Sequence, residues 1–429
     1  MHIAVIGAGI GGMAAAHDFN RAGHAVTIYE SAAQVGGLAA GFKEENWDWS
    51  VENFYHHWFE SDQEMLGLIR ELGLSEKVLF KRPKTVSYYQ GKFYPLDSPL
   101  TALKFPAFNL WDVARFGFVT VYIRYLARWQ NLEQYTAHEW LRKAYGEHLY
   151  QVIWQPMLEG KFGSFYKEVT MAWFWARLKT RTTRLGTFEG GFQAFSDAFA
   201  AQLRQRGVEI RLNTPVARIE AAEGGRVRIL QADGSSAEYD QCLVTVGPGL
   251  FARLAPDLPA GYLQGLLNLK QMGAVVMIMA LKHPLSPDGN YWFNLPKSAG
   301  YPYLALVEHT NFLPPEHFGG EHLIYIGDYL NTDHEHFRLS KEELESRFIP
   351  TLSLFNPEFN PDWVRKTWLF RTTYAQPVPL VNHSRNIPPI QTPIKGLYFA
   401  SMSQVYPWDR GTNFAVQIAR RAARQMLAG

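Results

Sequence analysis

Residues 2–30, HIAVIGAGIGGMAAAHDFNRAGHAVTIYE, carry the clearest structural pattern of the chain. IAVI is a short apolar run typical of a buried strand, and AVTIY is a second one. Between them, MAAAHDFNRAG has the composition of a helix that ends at Gly23. The stretch therefore predicts a strand, a glycine-rich turn, a helix and a second strand, as in the first unit of a parallel α/β sheet.

The glycines of this turn follow the spacing G-x-G-x-x-G, at Gly7, Gly9 and Gly12. The first allows the tight turn, the second lets a pyrophosphate approach the backbone, and the third lets helix and strand pack closely. The helix N-terminus then faces the phosphates. Glu30 ends the second strand, where a carboxylate accepts hydrogen bonds from an adenosine ribose and disfavours a 2′-phosphate. The pattern predicts a bound NAD-like dinucleotide or FAD, and the alternative is a glycine turn without a ligand.

A second doublet, Gly36 and Gly37, follows where an NAD domain normally enters its next helix. Three later segments accompany it: residues 186–220, GTFEGGFQAFSDAFAAQLRQRGVEIRLNTPVARIE; residues 239–249, YDQCLVTVGPG; and residues 395–427, KGLYFASMSQVYPWDRGTNFAVQIARRAARQML. Together with residues 2–30, these segments resemble the FAD-dependent flavoproteins that include protoporphyrinogen oxidase, phytoene desaturase, monoamine oxidase and, more distantly, UDP-galactopyranose mutase.

The resemblance implies FAD as the cofactor and assigns residues to it. The second doublet would lie along the pyrophosphate and ribityl chain, and Val216 would meet the adenine through its backbone. Asp409 matches the acid of the family's C-terminal loop, and Gly411, Thr412 and Asn413 would stand at the N-terminus of the last helix. Here WDRGTN replaces the more usual glycine-plus-acid loop, which leaves the contacts of Asp409 open.

The resemblance also implies the fold class. We expect an α/β protein with a Rossmann-like FAD-binding domain interleaved with an α+β substrate domain, which has a helical part and a mixed sheet. The FAD-binding domain would comprise residues 1–75, 186–265 and 386–429, and the substrate domain 76–185 and 266–385. Within the latter, TVSYYQGKFYPLDSP at residues 85–99 predicts a hairpin with QGK at its turn.

Two adjacent histidines lie in VENFYHHWFESD, residues 51–62, which in the family passes beneath the flavin. The stretch resembles the mutase form YGPHIFHT, with His57 at its first histidine and Phe59 at its aromatic. In an extended segment His56 and His57 point to opposite sides, so they cannot chelate one ion together, and no metal site is expected. His57 is the candidate to bind the flavin or substrate or to transfer a proton. The alternative is that both histidines are satisfied in the core or at its rim.

Polar residues that follow apolar strands are further candidates for the substrate pocket. Glu308, His309, Thr310 and Asn311 follow YLALV, and Arg371, Thr372, Thr373 and Tyr374 follow WLF. Each alone is explained by hydrogen bonding at a strand end. Taken together, these residues are expected to supply the polar contacts to the substrate, and Arg371 and Tyr374 are the catalytic candidates among them. Lys270 lies in the stretch where the family's oxidases commonly place a lysine.

Residues 110–129, LWDVARFGFVTVYIRYLARW, predict a helix with one broad apolar face. That face comprises Phe116, Phe118, Val119, Tyr122, Ile123, Tyr125 and Leu126, while Thr120, Arg124 and Arg128 lie opposite. We expect the face to pack in the core. The two alternatives are that it forms a wall of the substrate tunnel or that it touches an anionic lipid surface.

Composition narrows the class of protein. Of the 429 residues, 47% are hydrophobic and 19% charged, which is typical of a globular protein. A net charge of +2 gives no reason to expect nucleic acid as a partner. Cys242 is the single cysteine, which fits a reducing, cytoplasmic location and leaves no thiol near the C-terminal loop for a covalent flavin. No apolar run is long enough to span a bilayer, although peripheral membrane contact stays open.

We therefore expect an FAD-dependent oxidoreductase, that is a dehydrogenase, desaturase or oxidase. It would remove a hydride from a C–H bond of an apolar, aromatic or amine-bearing small molecule. Hydrolase readings lack support, because G-x-S-x-G and H-E-x-x-H are missing. Two alternatives stay open: a redox-neutral flavoenzyme of the sugar-nucleotide mutase type, and a lipid-binding protein without flavin, like the Rab GDP-dissociation inhibitors.

Overall fold

The computed structural model describes residues 1–96, 101 and 103–428. Its strands, numbered in chain order, are β1 His2–Ile6, β2 Ala25–Tyr29, β3 Gly41–Phe42, β4 Val51–Glu52, β5 Trp58–Phe59, β6 Val78–Lys81, β7 Thr85–Tyr89, β8 Lys92–Pro95, β9 Leu185–Phe188, β10 Glu209–Arg211, β11 Val216–Ala221, β12 Val227–Gln231, β13 Ser236–Tyr239, β14 Gln241–Val244, β15 Gln271–Leu281, β16 Trp292–Asn294, β17 Ala305–Glu308, β18 His322–Leu330, β19 Val364–Pro377 and β20 Leu397–Phe399. Its α-helices are Ile10–Arg21, Gln63–Glu71, Leu110–Val121, Trp129–Leu132, Ala137–Tyr145, Glu147–Leu149, Gln155–Phe162, Met171–Thr180, Gly191–Gln205, Pro248–Leu254, Ala260–Asn268, Lys341–Phe348 and Thr412–Ala428, with π-helical turns at Tyr122–Leu126 and Tyr150–Trp154.

A parallel five-stranded sheet organises the first domain, in the order β10-β2-β1-β14-β20. The predicted unit of β1, helix and β2 is present. Its short apolar strands are buried because helices cover one face of the sheet and the three-stranded sheet β11-β12-β13 packs against the other. The helices Ile10–Arg21 and Thr412–Ala428 pack tightly, since a Cβ at Gly11 would lie 3.2 Å from the carbonyl oxygen of Ala415. Both helices therefore begin at the same edge of the sheet.

A mixed seven-stranded sheet forms the second domain, in the order β19-β15-β18-β17-β16-β7-β8. Its pairs are antiparallel except for β16 with β7, so the predicted fold class is confirmed. The predicted hairpin is β7–β8, and Gln90 and Gly91 turn it with φ of 46° and 83°, as a two-residue turn requires. Residues 97–99 of the predicted segment lie outside the described residues.

The strands of the two large sheets come from the two sets of segments expected for the two domains. The five-stranded sheet uses residues within 1–75, 186–265 and 386–429, and the seven-stranded sheet uses residues within 76–185 and 266–385. A smaller sheet, in the order β5-β9-β6, joins strands from both sets. The division at these boundaries therefore stays a prediction.

Helices between residues 105 and 185 build a separate aromatic core beside the seven-stranded sheet. The helix Leu110–Val121 is held there by Val119, and the π-helical turn that follows is held by Ile123, both of which are buried. The predicted single buried face is nevertheless wrong, because Phe118, Tyr125 and Leu126 are strongly exposed. A second apolar stripe points away from the protein.

Candidate cofactor and substrate site

A cavity of about 420 Å³ lies between the two large sheets. One end is walled by the two glycine turns that follow β1 and β2 and by the start of the helix Thr412–Ala428. The other end is walled by one face of the seven-stranded sheet and by Phe54, Tyr55 and His56. The cavity thus joins the edge where both helices begin to the sheet expected to form a substrate floor.

The two glycine turns contact each other and leave no room for side chains. A Cβ at Gly12 would lie 2.0 Å from the carbonyl oxygen of Gly7, and one at Gly37 would lie 3.1 Å from the Cα of Gly9. Gly36 donates its backbone N–H to the carbonyl of Ala8 at 3.0 Å. Backbone therefore lines this end of the cavity at the N-terminus of a helix, an arrangement suited to phosphate oxygens.

Glu30 lines the cavity next to this cradle. Its Oε2 accepts the N–H of Ala8 at 2.8 Å, and its Oε1 accepts the N–H of Ala32 at 2.9 Å. Oε1 also accepts the hydroxyl of Ser31 at 3.3 Å, whereas Oε2 keeps a further lone pair that a ribose hydroxyl can use. A phosphate cradle and an adjacent fixed acid are what an FAD molecule requires, so these residues fit the cofactor implied by the sequence.

Only some of the residues of the C-terminal loop that were expected to bind FAD line the cavity. Gly411 and Thr412 line the cavity, and Thr412 Oγ1 accepts the indole N–H of Trp58 at 2.9 Å. Asn413 does not line it, because its side-chain oxygen accepts the N–H of Met65 at 3.0 Å and joins two helices. Val216 also lies outside the cavity lining, at the start of β11.

Asp409 lies behind the cavity wall and does not line the cavity. Its carboxylate accepts Lys161 Nζ at 2.7 Å and Gln376 Nε2 at 3.3 Å, and lies 3.8 Å from Arg177. Burial opposes ionisation, but the charges of Lys161 and Arg177 outweigh it and hold the pKa of Asp409 below its ordinary value. Asp409 thus anchors two cations, a role that a sequence motif does not reveal.

Arg410, the next residue, lines the cavity and was not anticipated from the sequence. Its guanidinium carbon lies 4.9 Å from the ring centre of Tyr329, and its Nε is buried without a hydrogen-bond partner. Burial, followed by the charge of Arg177, lowers the pKa of Arg410 to about 10, so the group stays charged at neutral pH. A charged guanidinium therefore lines this part of the cavity.

His57 was expected to face the flavin or substrate, but the structure places His56 at the cavity instead. His56 lines the cavity, whereas His57 does not. Burial lowers the pKa of His56 to about 4 and that of His57 to about 3, so both are neutral at pH 7. His56 Nδ1 lies 2.5 Å from the carbonyl oxygen of Phe54, which can only accept, so Nδ1 carries the proton and Nε2 has the free lone pair.

One face of the seven-stranded sheet forms the floor of the cavity. Its register brings Val276, Gly327 and Ala305 side by side in three neighbouring strands, and Ala274 and Val307 extend the row. Small apolar side chains leave space above them, and aromatic side chains from Trp292, Tyr325 and Tyr329 border that space. The floor is therefore broad, flat and apolar.

Of the polar groups expected on this sheet, only Thr372 and Tyr374 reach the cavity. The hydroxyl of Tyr374 is hydrogen-bonded to Ser401 at 2.9 Å and to Ser403 at 2.8 Å, and burial raises its pKa. Arg371 is exposed and donates to the carbonyls of His336 and Leu339, so the structure does not bring it to the cavity. Lys270 is exposed as well and lies outside the lining.

The group at residues 308–311 is also absent from the cavity lining. Glu308 is buried and accepts the N–H groups of Leu285 and Ser286, each at 2.7 Å. Asn311 donates to the same carboxylate at 2.9 Å. Hydrogen bonding at a strand end, the simpler of the two explanations, accounts for Glu308, Thr310 and Asn311, whereas both ring nitrogens of His309 are buried without a partner.

Asp328 is a buried acid at the cavity that the sequence did not single out. Its Oδ1 has no hydrogen-bond partner, and its Oδ2 lies 3.4 Å from Lys297 Nζ. Burial raises its pKa to about 7, and Lys297 only partly opposes this. The signal was available in HLIYIGDYL, where a single carboxylate interrupts an apolar strand.

Among the described residues, His17, Asp18 and Glu71 form one cluster of possible metal ligands, away from the cavity. Cations already occupy it, because Arg420 lies 2.7 Å and Arg21 3.2 Å from the Glu71 carboxylate. Ion pairing explains the cluster without a metal.

Comparison with known proteins agrees with this geometry. The family described as flavin containing amine oxidoreductase matches residues 10–427. Flavin-containing amine oxidase B of Sus scrofa is 24% identical over 464 residues, covering 99% of this chain and 86% of that protein. The 15-cis-phytoene desaturase of Synechococcus elongatus is 28% identical over 158 residues, which is 33% of this chain and 33% of its own length. The structure of a putative protoporphyrinogen oxidase from Exiguobacterium shares the fold, with a TM-score of 0.80, 19% identity, and coverage of 100% of this chain and 99% of that one.

Proposed function

We propose that this chain, which belongs to the flavin-containing amine oxidoreductase family, removes a hydride from a C–H bond of an apolar small molecule that carries an anionic group. FAD is its cofactor and, when bound, supplies the acceptor for the two electrons of that bond. The flat apolar floor beside the glycine cradle carries the proposal. The alternative without flavin is wrong, because the family is one of flavin oxidoreductases.

The proposal assigns separate parts of FAD to residues already described. The glycine turns at Gly7, Gly9 and Gly12 and at Gly36 and Gly37 would hold the pyrophosphate. Glu30 would accept the adenosine ribose hydroxyls, and Gly411 and Thr412 would meet the flavin end. Because these contacts are largely backbone, they fix the cofactor's position without filling the space above the sheet floor.

The chain's own residues would then orient the substrate and take up its proton. The apolar floor excludes water and holds the substrate body over a broad surface. His56 offers the free lone pair of Nε2 as a proton or hydrogen-bond acceptor at the cavity wall. The guanidinium of Arg410, which lines the cavity, would bind an anionic substituent.

The charges around Arg410 do not favour an amine-bearing substrate. Lys161 and Arg177 lie behind it, and the single carboxylate of Asp409 is shared between them. A substrate ammonium group would meet this positive charge in a region of low dielectric, where like charges repel strongly. We therefore favour a carboxylate-bearing substrate over an amine.

A pair of simple probes tests this preference through the absorbance spectrum of the bound flavin. We expect benzoate to perturb the spectrum at much lower concentration than benzylamine. Thr372→Phe, which fills the cavity from β19, should weaken benzoate binding by at least about fivefold. Thr373→Phe alters the exposed neighbour outside the lining and should leave it unchanged. Tighter binding of benzylamine than of benzoate would contradict the proposed substrate class.

One observation favours a second candidate function. Arg410, which lines the cavity, could bind a phosphate of a nucleotide diphosphate, as a redox-neutral enzyme of the mutase type would require. The test is incubation of UDP-galactopyranose with the enzyme in its oxidised and dithionite-reduced states. Isomerisation only by the reduced enzyme would support this candidate. If neither state forms a product, the mutase candidate is rejected and the oxidoreductase is the one remaining proposal.

We further propose that FAD is held without a covalent bond. Cys242, the only cysteine, is buried in the core of β14, where its thiol cannot meet a flavin in the cavity. Acid precipitation should therefore release all the yellow colour into the supernatant. Flavin retained in the washed pellet would show that another side chain forms a bond to it.

A further inference from the structure

An apolar ridge runs along the outside of the helical layer. It comprises Leu110, Trp111, Phe118, Val121, Tyr122, Tyr125 and Leu126, which are between 40% and 82% exposed. Phe118 and the positions after it recur at intervals of three or four residues, and Trp111 lies seven residues, about two helical turns, before Phe118, so they form one stripe along the helix and the π-helical turn. An exposed stripe of seven large apolar side chains on one element exceeds the scattered exposure that is normal for protein surfaces.

The helix is anchored through its other side, which includes polar groups. Arg115 donates to the carbonyls of Ala144 at 2.8 Å and Lys143 at 2.9 Å. Thr120 is hydrogen-bonded to the hydroxyl of Tyr145 at 2.9 Å. At the N-terminus Asn109 and Asp112 form a reciprocal capping box. The orientation is therefore fixed by specific bonds, and the ridge cannot turn inward without breaking them.

Positive charge accompanies the ridge at its C-terminal end. Arg124 and Arg128 lie within or next to it, and Lys179 joins its flank by donating to the carbonyl of Arg124 at 2.9 Å. Asp112 is the only acid between residues 103 and 128, and it is buried in the capping box. A recess of about 230 Å³ lies between Tyr122, Leu126 and Arg128. Apolar side chains and cations are thus presented on the same surface.

We propose that this ridge docks the protein on the surface of an anionic phospholipid bilayer. The apolar side chains would enter the boundary between headgroups and acyl chains, and the cations would meet lipid phosphates. No helix within the described residues is long and apolar enough to cross a membrane, so the contact would be peripheral. The charge argues against a second copy of the chain as occupant, since two-fold packing would bring identical cations together.

Vesicle co-sedimentation of the holoenzyme tests the proposal. We expect wild-type protein to sediment with vesicles of equimolar phosphatidylcholine and phosphatidylglycerol, and more weakly with phosphatidylcholine alone. Trp111→Ser combined with Phe118→Ser should lower the partition coefficient at least about tenfold, because two large side chains no longer enter the bilayer. Arg128→Gln should reduce binding only to the anionic vesicles.

A matched control uses exposed leucines outside the ridge. Leu267→Ser combined with Leu354→Ser removes two side chains of comparable exposure and should leave sedimentation unchanged. Equal binding by the ridge variant and wild type, with the FAD content of both preserved, would overturn the proposal. So would wild-type dimers in sedimentation equilibrium that the ridge variant converts to monomers, without binding of either protein to vesicles.

Discussion

Gly12→Ala is expected to lower the affinity for FAD by between about tenfold and about a hundredfold, which corresponds to the usual cost of inserting a methyl group into packed structure. The new Cβ would lie 2.0 Å from the carbonyl oxygen of Gly7 and 3.1 Å from Thr245 Oγ1. Since the Gly7 oxygen belongs to the turn itself, the helix must move away and the phosphate cradle must open. The measurement is fluorimetric titration of the apoprotein with FAD.

Gly67→Ala is the matched control, because nothing lies within 4 Å of a Cβ at that helical glycine. We expect it to bind FAD as the wild type does. Circular dichroism of both apoproteins shows whether a loss of FAD affinity comes from a disturbed phosphate cradle or from unfolding of the protein. A Gly12→Ala protein with native circular dichroism and wild-type affinity would show that the cofactor does not use this turn.

Asp328→Asn is expected to stabilise the protein at alkaline pH. Burial raises the folded-state pKa to about 7, whereas an unfolded aspartate titrates near about 4, so the folded state binds this proton more tightly. The wild type therefore loses stability as the pH rises from about 4 through 7, by up to about 4 kcal/mol. Asparagine carries no charge and avoids that loss. Its advantage in free energy of unfolding should be small near pH 4 and full above pH 8.

Denaturation of the holoenzyme across this pH range measures the effect. Asp333→Asn removes an exposed carboxylate from the loop after the same strand and serves as the control. We expect the Asp333→Asn protein to lack the gain in stability at alkaline pH, because this side chain is exposed. An Asp328→Asn protein that is less stable than wild type at pH 8 would mean that the pair with Lys297 outweighs the burial of the charge.

The elements that follow local patterns were predictable from the sequence. The first β-α-β unit follows from apolar runs and glycine spacing within thirty residues, and the hairpin follows from Gln90 and Gly91 at its turn. The glycines of both turns could be named because backbone geometry, and not a distant partner, dictates their residue type. Glu30 could be named because it directly follows the second strand, at the end where a carboxylate can accept hydrogen bonds from a ribose.

The misplaced residues depend on contacts from distant parts of the chain. Asp409 meets Lys161 across 248 positions, so no motif could show that the carboxylate is already paired. Residues 53–57 form no strand, so alternation along the chain could not decide which histidine faces the cavity. The helix at residues 110–121 is apolar on two sides, and a helical wheel cannot tell which of them the hydrogen bonds of Arg115 and Thr120 will turn inward.

The most direct test of the proposed oxidoreductase is a single anaerobic turnover of the holoenzyme with aromatic and aliphatic carboxylates. Flavin absorbance and product mass are followed in the same sample. We predict that bleaching of each flavin accompanies formation of one product molecule that has lost two hydrogens. A product of unchanged mass, formed without bleaching, would contradict this chemistry.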